Sequence, residues 1–217
     1  MNLFYIDTSS SYLYSGIVSN NSLKASRKVF FGSELSKYAL NEISKMFEET
    51  NILPNDIDKI IVVAGPGSFT GIRIGMTIAK IFAFSLKKEI TTLSSLEAMA
   101  YSSNLESIKV PILDARRGYV YAGVYDENNN IILDDQYISL EKLQKYLDSL
   151  KKEYIFITND SKLANLNRIK YNPDILKIVN IVKDRKSINP HLVEPLYLKL
   201  TEAEENLGSK NDSRVTE

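Results

Sequence analysis

Apolar positions along this chain alternate between short continuous runs and stripes of helical period. Residues 3–6 are uninterruptedly apolar, as in a strand buried on both faces, and lead into the polar turn Asp7-Thr8-Ser9-Ser10-Ser11. Residues 12–18 return as a second strand with Gly16 inside it. Asn20-Asn21 marks a hairpin turn, and residues 23–31 read as a third strand. Ser33-Glu34 open a helix to about residue 50, with Leu35, Ala39, Ile43, Met46 and Phe47 on one face and Tyr38 and Leu40 partly off it. Pro54 breaks the chain before a second buried run, residues 60–64. The tight turn Gly65-Pro66-Gly67 follows, and Ser68 and Thr70 both stand where a helix N-cap is wanted.

The helix predicted over residues 70–86 organises the rest. Gly71, Gly75, Ala79 and Ala83 recur every four residues, a small-residue stripe that admits a close neighbour. Ile72, Ile74, Met76, Ile78, Ile81, Phe82, Phe84 and Leu86 fill the remainder, interrupted only by Arg73, Thr77 and Lys80. A helix apolar on nearly all sides is buried on nearly all sides. One sheet face cannot cover it, so the pattern predicts a partner. A short strand at residues 90–93 and a helix at 96–102, capped by Ser94 or Ser95, complete the first half.

The second half repeats the first. Asp114 aligns with Asp7, Tyr119 with Tyr12, Tyr121 with Tyr14 and Gly123 with Gly16, without a gap. A strand at 131–138, a helix capped by Ser139 and running to 150, a strand at 154–158, a helix at 161–169 and a strand at 176–182 follow in order. Two copies of β-β-β-α-β-α-β predict an α/β fold of duplicated ribonuclease-H type, the two-domain architecture of actin-like ATPases (ASKHA), with mixed five-stranded sheets and flanking helices. The expected division is residues 1–104, residues 105–202 and a polar, disordered tail at 203–217.

Composition narrows the chemistry. The 217 residues carry 27 Lys+Arg against 27 Asp+Glu, so no net charge draws the chain to nucleic acid or membrane. Without cysteine there is no disulfide, thiol nucleophile or zinc–thiolate site. No secretory leader and no membrane-spanning run is apparent, so a soluble cytoplasmic protein is expected. His191 is the single histidine, and neither H-E-x-x-H nor a Ser–His–Asp set can be built around it.

The glycine loop fits no standard phosphate cradle: it lacks the lysine of the G-x-x-x-x-G-K-[S/T] loop, and its spacing is G-x-G-x-x-x-G. The helix N-terminus at Ser68 and Thr70 still offers N–H groups to an anion. The alternative is a strand-to-helix turn that positions an interface helix. Asp7 and Asp114 occupy the places where duplicated folds of this type hold a nucleotide and its Mg²⁺, which keeps a small-molecule kinase or ATPase open. Against it, the second half has only Gly118, Gly123 and Gly208, and Arg116 and Arg117 fill a hairpin turn where a phosphate loop needs small residues. Those arginines either close the lobes by ion pairing, contact an anion, or form a solvated turn. An autonomous RNA-binding module is disfavoured by zero net charge.

Several stretches also carry a resemblance. A-G-P-G-S-F-T-G-I-R-I-G-M-T-I-A-K from Ala64, T-T-L-S-S-L-E-A-M-A from Thr91 and I-L-D-A-R-R-G-Y-V-Y-A-G-V-Y-D from Ile112 resemble the TsaB family, also called YeaZ. G-S-E-L from Gly32 is similar to its H-S-E-x-L turn, with glycine in place of histidine, and E-P-L-Y-L-K from Glu194 resembles its C-terminal signature. The resemblance implies a non-catalytic subunit, without cofactor or metal of its own, in the bacterial machinery for threonylcarbamoyladenosine in tRNA. It implies a transferase partner, TsaD, carrying the H-x-x-x-H metal site, an ATPase, TsaE, and threonylcarbamoyl-adenylate as substrate. tRNA would be met indirectly, through the complex. The partner face is expected on the two N-terminal-domain helices, at Leu35, Tyr38, Gly71, Ile72, Gly75, Met76, Ala79 and Ala83. The same face is expected to pair two copies when the chain is alone.

Overall fold

The computed structural model describes residues 1–199, which form two five-stranded sheets. The first comprises β1 (Asn2–Asp7), β2 (Tyr12–Ser19), β3 (Ser22–Phe30), β4 (Lys59–Val63) and β5 (Glu89–Leu93), in the order β3-β2-β1-β4-β5. Its hairpin strands are antiparallel, whereas β4 and β5 join β1 in parallel. Between them run α1 (Leu35–Thr50), entered through a 3-10 turn at Gly32–Glu34, and α2 (Phe69–Ser85). After β5 comes α3 (Ser95–Tyr101), whose cap is Ser94.

The second sheet repeats that topology with β6 (Ile108–Asp114), β7 (Tyr119–Tyr125), β8 (Ile131–Ser139), β9 (Tyr154–Ile157) and β10 (Arg168–Ile169), ordered β10-β9-β6-β7-β8. Helix α4 (Leu140–Ser149) is capped by Ser139, as its sequence predicts. The duplicated ribonuclease-H-like arrangement is thus present in both halves.

Alternation along each strand decides the layers. Phe4 and Ile6 of β1, with Leu13, Ile17, Ile60 and Val62, pack under α1 and α2. Leu3, Tyr5, Tyr14, Val18 and Ile61 point to the opposite face, toward α3 and a last helix, α5 (Ile175–Val182). In the second lobe Ile112, Val120, Ala122 and Phe156 pack on α4. Helix α3 lies between the lobes, since its Ala98 and Tyr101 join the first sheet while Leu96 and Met99 meet Ile157 and Tyr121.

Two predicted elements are corrected. Residues 161–169, expected as a helix, form a 3-10 turn (Ser161–Leu163) and then β10, which pairs parallel to β9. Leu163 and Leu166 are too sparse an apolar face for a helix, and the backbone instead bonds to Phe156 and Thr158. Residues 176–182, expected as a strand, belong to α5. The stretch is rich in β-branched residues, but Lys177 and Asn180 interrupt it, the buried positions Ile175, Ile178, Val179 and Val182 have helical spacing, and Asp174 caps the helix by accepting the Lys177 N–H at 2.9 Å.

That helix also breaks the expected continuity of the second domain. Residues 175–199 return to the first lobe: α5 covers Tyr5 and Tyr14, Ile188 bridges Ile90, Val193 enters the core beneath α1 and α2, and the Leu196 N–H bonds to the Ala64 carbonyl at 2.8 Å. Buried Lys59 secures the return by donating to the Lys183 carbonyl at 2.9 Å and to that of Arg185. The tail expected at 203–217 lies outside the described residues.

Candidate functional site: an exposed helical face beside an inter-lobe cleft

Helix α2 begins as its sequence dictates. Ser68 is the N-cap, its hydroxyl accepting the Gly71 N–H at 3.2 Å, while Thr70 is exposed within the first turn. The small-residue stripe then takes a direction its spacing does not reveal. Gly71, Ile72, Gly75, Met76, Ala79 and Ala83 are all buried within this chain. The close neighbour the two glycines admit is the β1–β2 hairpin: a Cβ on Gly71 would overlap the Thr8 carbonyl oxygen, and one on Gly75 would overlap the Thr8 hydroxyl, while Met76, Ala79 and Ala83 face the core shared with α1. The Thr8 hydroxyl donates to the Gly71 carbonyl at 2.7 Å, sealing that contact. The expected partner contact of these six residues is therefore corrected to an internal one. Leu35 is likewise buried in the α1–α2 core. Tyr38 is half-buried and stacks on Phe31 at 5.8 Å.

What α2 leaves outside is its opposite side. Phe69, Ile81 and Phe84 are 56%, 57% and 61% exposed, and Leu40 of α1 is 57% exposed. Ile74, Ile78 and Phe82 are half-buried between them. Toward the C-terminal ends of the two helices a groove of about 380 Å³ opens, lined by Leu40, Phe47, Ile52, Leu53 and Phe82 among others. The returning segment extends this surface. His191 packs edge-on against Phe84 at 4.8 Å, and Tyr197 stacks on Phe69 at 5.8 Å while accepting from Arg73 Nε at 3.1 Å. Leu53, His191 and Tyr197 carry no signal in the sequence that joins them to α2, because only the tertiary return brings them there.

The second feature is a cleft of about 420 Å³ where the two hairpin turns meet, lined by Asp7, Asp114, Ser68, Ser95, Tyr14 and Tyr171 among others. Asp7 and Asp114 are sequence equivalents in different surroundings. Burial pushes the Asp7 carboxyl up, opposed by the Ser9 N–H and hydroxyl, which it accepts at 2.8 and 2.7 Å. Asp114 is held below the usual carboxylate range, first by Lys162, which donates to it at 2.8 Å, and by the Arg116 N–H at 3.0 Å.

Asp160 adds a third carboxylate to the cleft lining, and Lys162, which reaches Asp114 there, is already paired with it. Ser68 sits at this lining, but its hydroxyl is engaged as the helix cap. Arg116 and Arg117 are exposed, and among the described residues neither makes an ion pair. The lobe-closing pair considered for them is not formed, since Asp114 takes Lys162 instead. Among the described residues no group of three His, Cys, Asp or Glu side chains converges as a metal site, and no helix is long and apolar enough to cross a membrane.

Comparison with known proteins agrees with this architecture. The family model described as "TsaD: tRNA N6-adenosine threonylcarbamoyltransferase" matches residues 32–181. A curated relative from Bacillus subtilis (strain 168), "tRNA threonylcarbamoyladenosine biosynthesis protein TsaB", is 29% identical over 94% of this chain and 96% of its own length. Among solved structures, YeaZ from Pseudomonas aeruginosa superposes with a TM-score of 0.75 at 18% identity, covering 91% of this chain and 99% of that one. A second Pseudomonas aeruginosa structure, an uncharacterized protein with similarity to peptidase YEAZ, reaches 0.78 at 19% identity with the same coverage. With its glycine loop, duplicated hairpins and end-to-end match to such relatives, the chain belongs to the TsaB (YeaZ) family, within the wider family that the transferase model describes.

Proposed function

We propose that this chain is the non-catalytic, scaffolding subunit of the complex that moves threonylcarbamoyl from threonylcarbamoyl-adenylate onto the adenosine 3′ of the anticodon in tRNAs reading A-starting codons. Its partner is TsaD, which supplies the chemistry, and TsaE joins the larger assembly. The observation that carries this reading is the outer face of α1 and α2, where Leu40, Ile81 and Phe84 stand exposed around half-buried Ile74, Ile78 and Phe82. Contiguous apolar surface of this kind marks a protein interface. The face is two-helical, so a partner of the same fold meets it with its own helix pair, and a second copy does so when the chain is alone. Family membership supports participation in tRNA threonylcarbamoyladenosine synthesis.

The test is co-purification with TsaD and sedimentation of the isolated chain. Ile81→Glu and Phe84→Glu change exposed positions, so the fold survives while homodimer and heterodimer are both lost. Full-affinity TsaD binding by these variants would overturn the shared-face reading. The other reading, a small-molecule kinase or ATPase, predicts a rise in melting temperature with Mg·ATP. The carboxylate-lined cleft favours no shift.

A further inference from the structure

The hairpin turn between β6 and β7 carries two arginines in an unusual backbone. Arg116, Arg117 and Gly118 all have positive φ, at 68°, 54° and 77°. Turns of this handedness favour Asn, Asp or Gly, because a Cβ is strained there. Turn geometry therefore does not explain why both positions are arginine. Both side chains are exposed, and the neighbouring Asp114 is already paired with Lys162.

The strands leaving that turn present an aromatic surface. Tyr119 stacks on Tyr137 with centroids 4.7 Å apart and planes 9° apart, and Tyr121 leans on Tyr137 at 5.7 Å. Tyr119 and Tyr121 lie on the β7 face turned away from α4, since Val120 and Ala122, which alternate with them, belong to the α4 core. Tyr119 is 40% exposed, and the Lys199 ammonium sits over the Tyr137 ring at 5.4 Å. Cross-strand packing alone accounts for a tyrosine pair. It does not account for an exposed Tyr119 that directly follows a turn carrying two exposed arginines, with Lys199 over its stacking partner, and none of these three cations has an acidic partner among the described residues.

We propose that Tyr119, Tyr137, Arg116, Arg117 and Lys199 form a contact surface for single-stranded RNA. An unpaired base stacks on Tyr119 and the flanking phosphates meet the arginines, which is the combination sequence-tolerant single-strand binders use. The choice of RNA rests on the proposed function, in which the complex acts on tRNA. It departs from the expectation that tRNA is met only indirectly.

The test uses the full chain, alone and bound to its co-purified transferase partner, with a fluorescein-labelled unstructured 12-nucleotide RNA read by anisotropy. Tyr119→Ala is expected to weaken binding at least fivefold, about the loss of one base–aromatic stack, while Tyr119→Phe retains it. Arg116→Ala and Arg117→Ala should each lower the slope of log K against log salt by about 0.7. Ultraviolet crosslinking of wild type should leave a nucleotide adduct on Tyr119 or Tyr137. Circular dichroism of each variant confirms the fold. Wild type that binds no RNA in either state, or Tyr119→Ala that binds as wild type does, overturns the proposal. So does Tyr119→Ala that loses the partner subunit yet keeps RNA affinity, which would make the surface a protein interface. Failure here with TsaD still bound through α1 and α2 leaves the scaffold reading intact.

Discussion

The Thr8 hydroxyl occupies the space a side chain at Gly75 would need, one helical turn beyond the Gly71 carbonyl to which it donates at 2.7 Å. The glycines of α2 are therefore required by the chain's own hairpin. Gly75→Ala should cost about 1–3 kcal/mol, the usual range for overpacking, and Thr8→Ala should partly rescue it because the obstruction is a side chain. Gly71→Ala should cost more and resist that rescue, because its obstruction is the Thr8 backbone carbonyl. Urea denaturation of the four variants checks both signs. Equal rescue at the two positions would refute the assignment.

Acid should loosen the joint between α3 and the returning segment. Glu97 accepts from Arg185 at 2.7 and 3.2 Å, from the Ser94 N–H at 2.8 Å and from the Tyr101 hydroxyl at 2.9 Å. Burial is the largest influence on this carboxyl and pushes it up, but these donors together hold it below its ordinary 4.5. A folded pKa below the unfolded one means the stabilisation is present above 4.5 and disappears as pH falls through the folded value. Glu97→Gln should remove about 1–3 kcal/mol at pH 7, and its deficit relative to wild type should shrink toward pH 3.

Asp135 should behave in the opposite sense. It accepts the Tyr125 hydroxyl at 2.6 Å and the hydroxyl of Ser94 across the lobe boundary. Burial pushes its carboxyl up, with Glu97 and Asp134 adding repulsion against the two hydroxyl donors. Its favourable contribution is complete below the unfolded value and is lost as pH rises through the folded one. Asp135→Asn should therefore raise the melting temperature at pH 7 relative to wild type and flatten the stability profile above pH 4. A lower melting temperature at pH 7 would count against it.

Lys59 tests the anchorage of the C-terminal return. Lys59→Met keeps the buried stem but removes the donor to the Lys183 and Arg185 carbonyls. The expected cost is about 1.5–3 kcal/mol, with faster amide exchange in α5 than in α4. Uniform exchange changes in both helices would argue for a general destabilisation.

Much of the fold was legible because each half repeats one binary pattern and Ser68, Ser94 and Ser139 announce their helices. The errors have physical causes. Residues 175–182 are rich in isoleucine and valine, which favours a strand, but Lys177 and Asn180 break the run and leave Ile175, Ile178, Val179 and Val182 at helical spacing, the face that packs against Tyr5 and Tyr14. The glycine stripe on α2 announces close approach without saying from where. The Thr8 hairpin fills it, so the exposed apolar face is Ile81 and Phe84 rather than Met76 and Ala79. Tyr137 and Lys199 are remote in sequence, and no local pattern pairs them.

The return of residues 175–199 to the first sheet has a consequence for synthesis. A nascent chain completes β1 to β5 by residue 93, yet the face bearing Tyr5, Tyr14 and Ile61 has only α3 to cover it until α5 is made. At about 5–20 residues per second that interval lasts several seconds or more. The N-terminal half thus leaves the ribosome as a half-covered sheet that needs residues 175–199 to close it. Truncation before residue 175 would strand it in that state, so the two halves, alike in pattern, are not separable as expressed units.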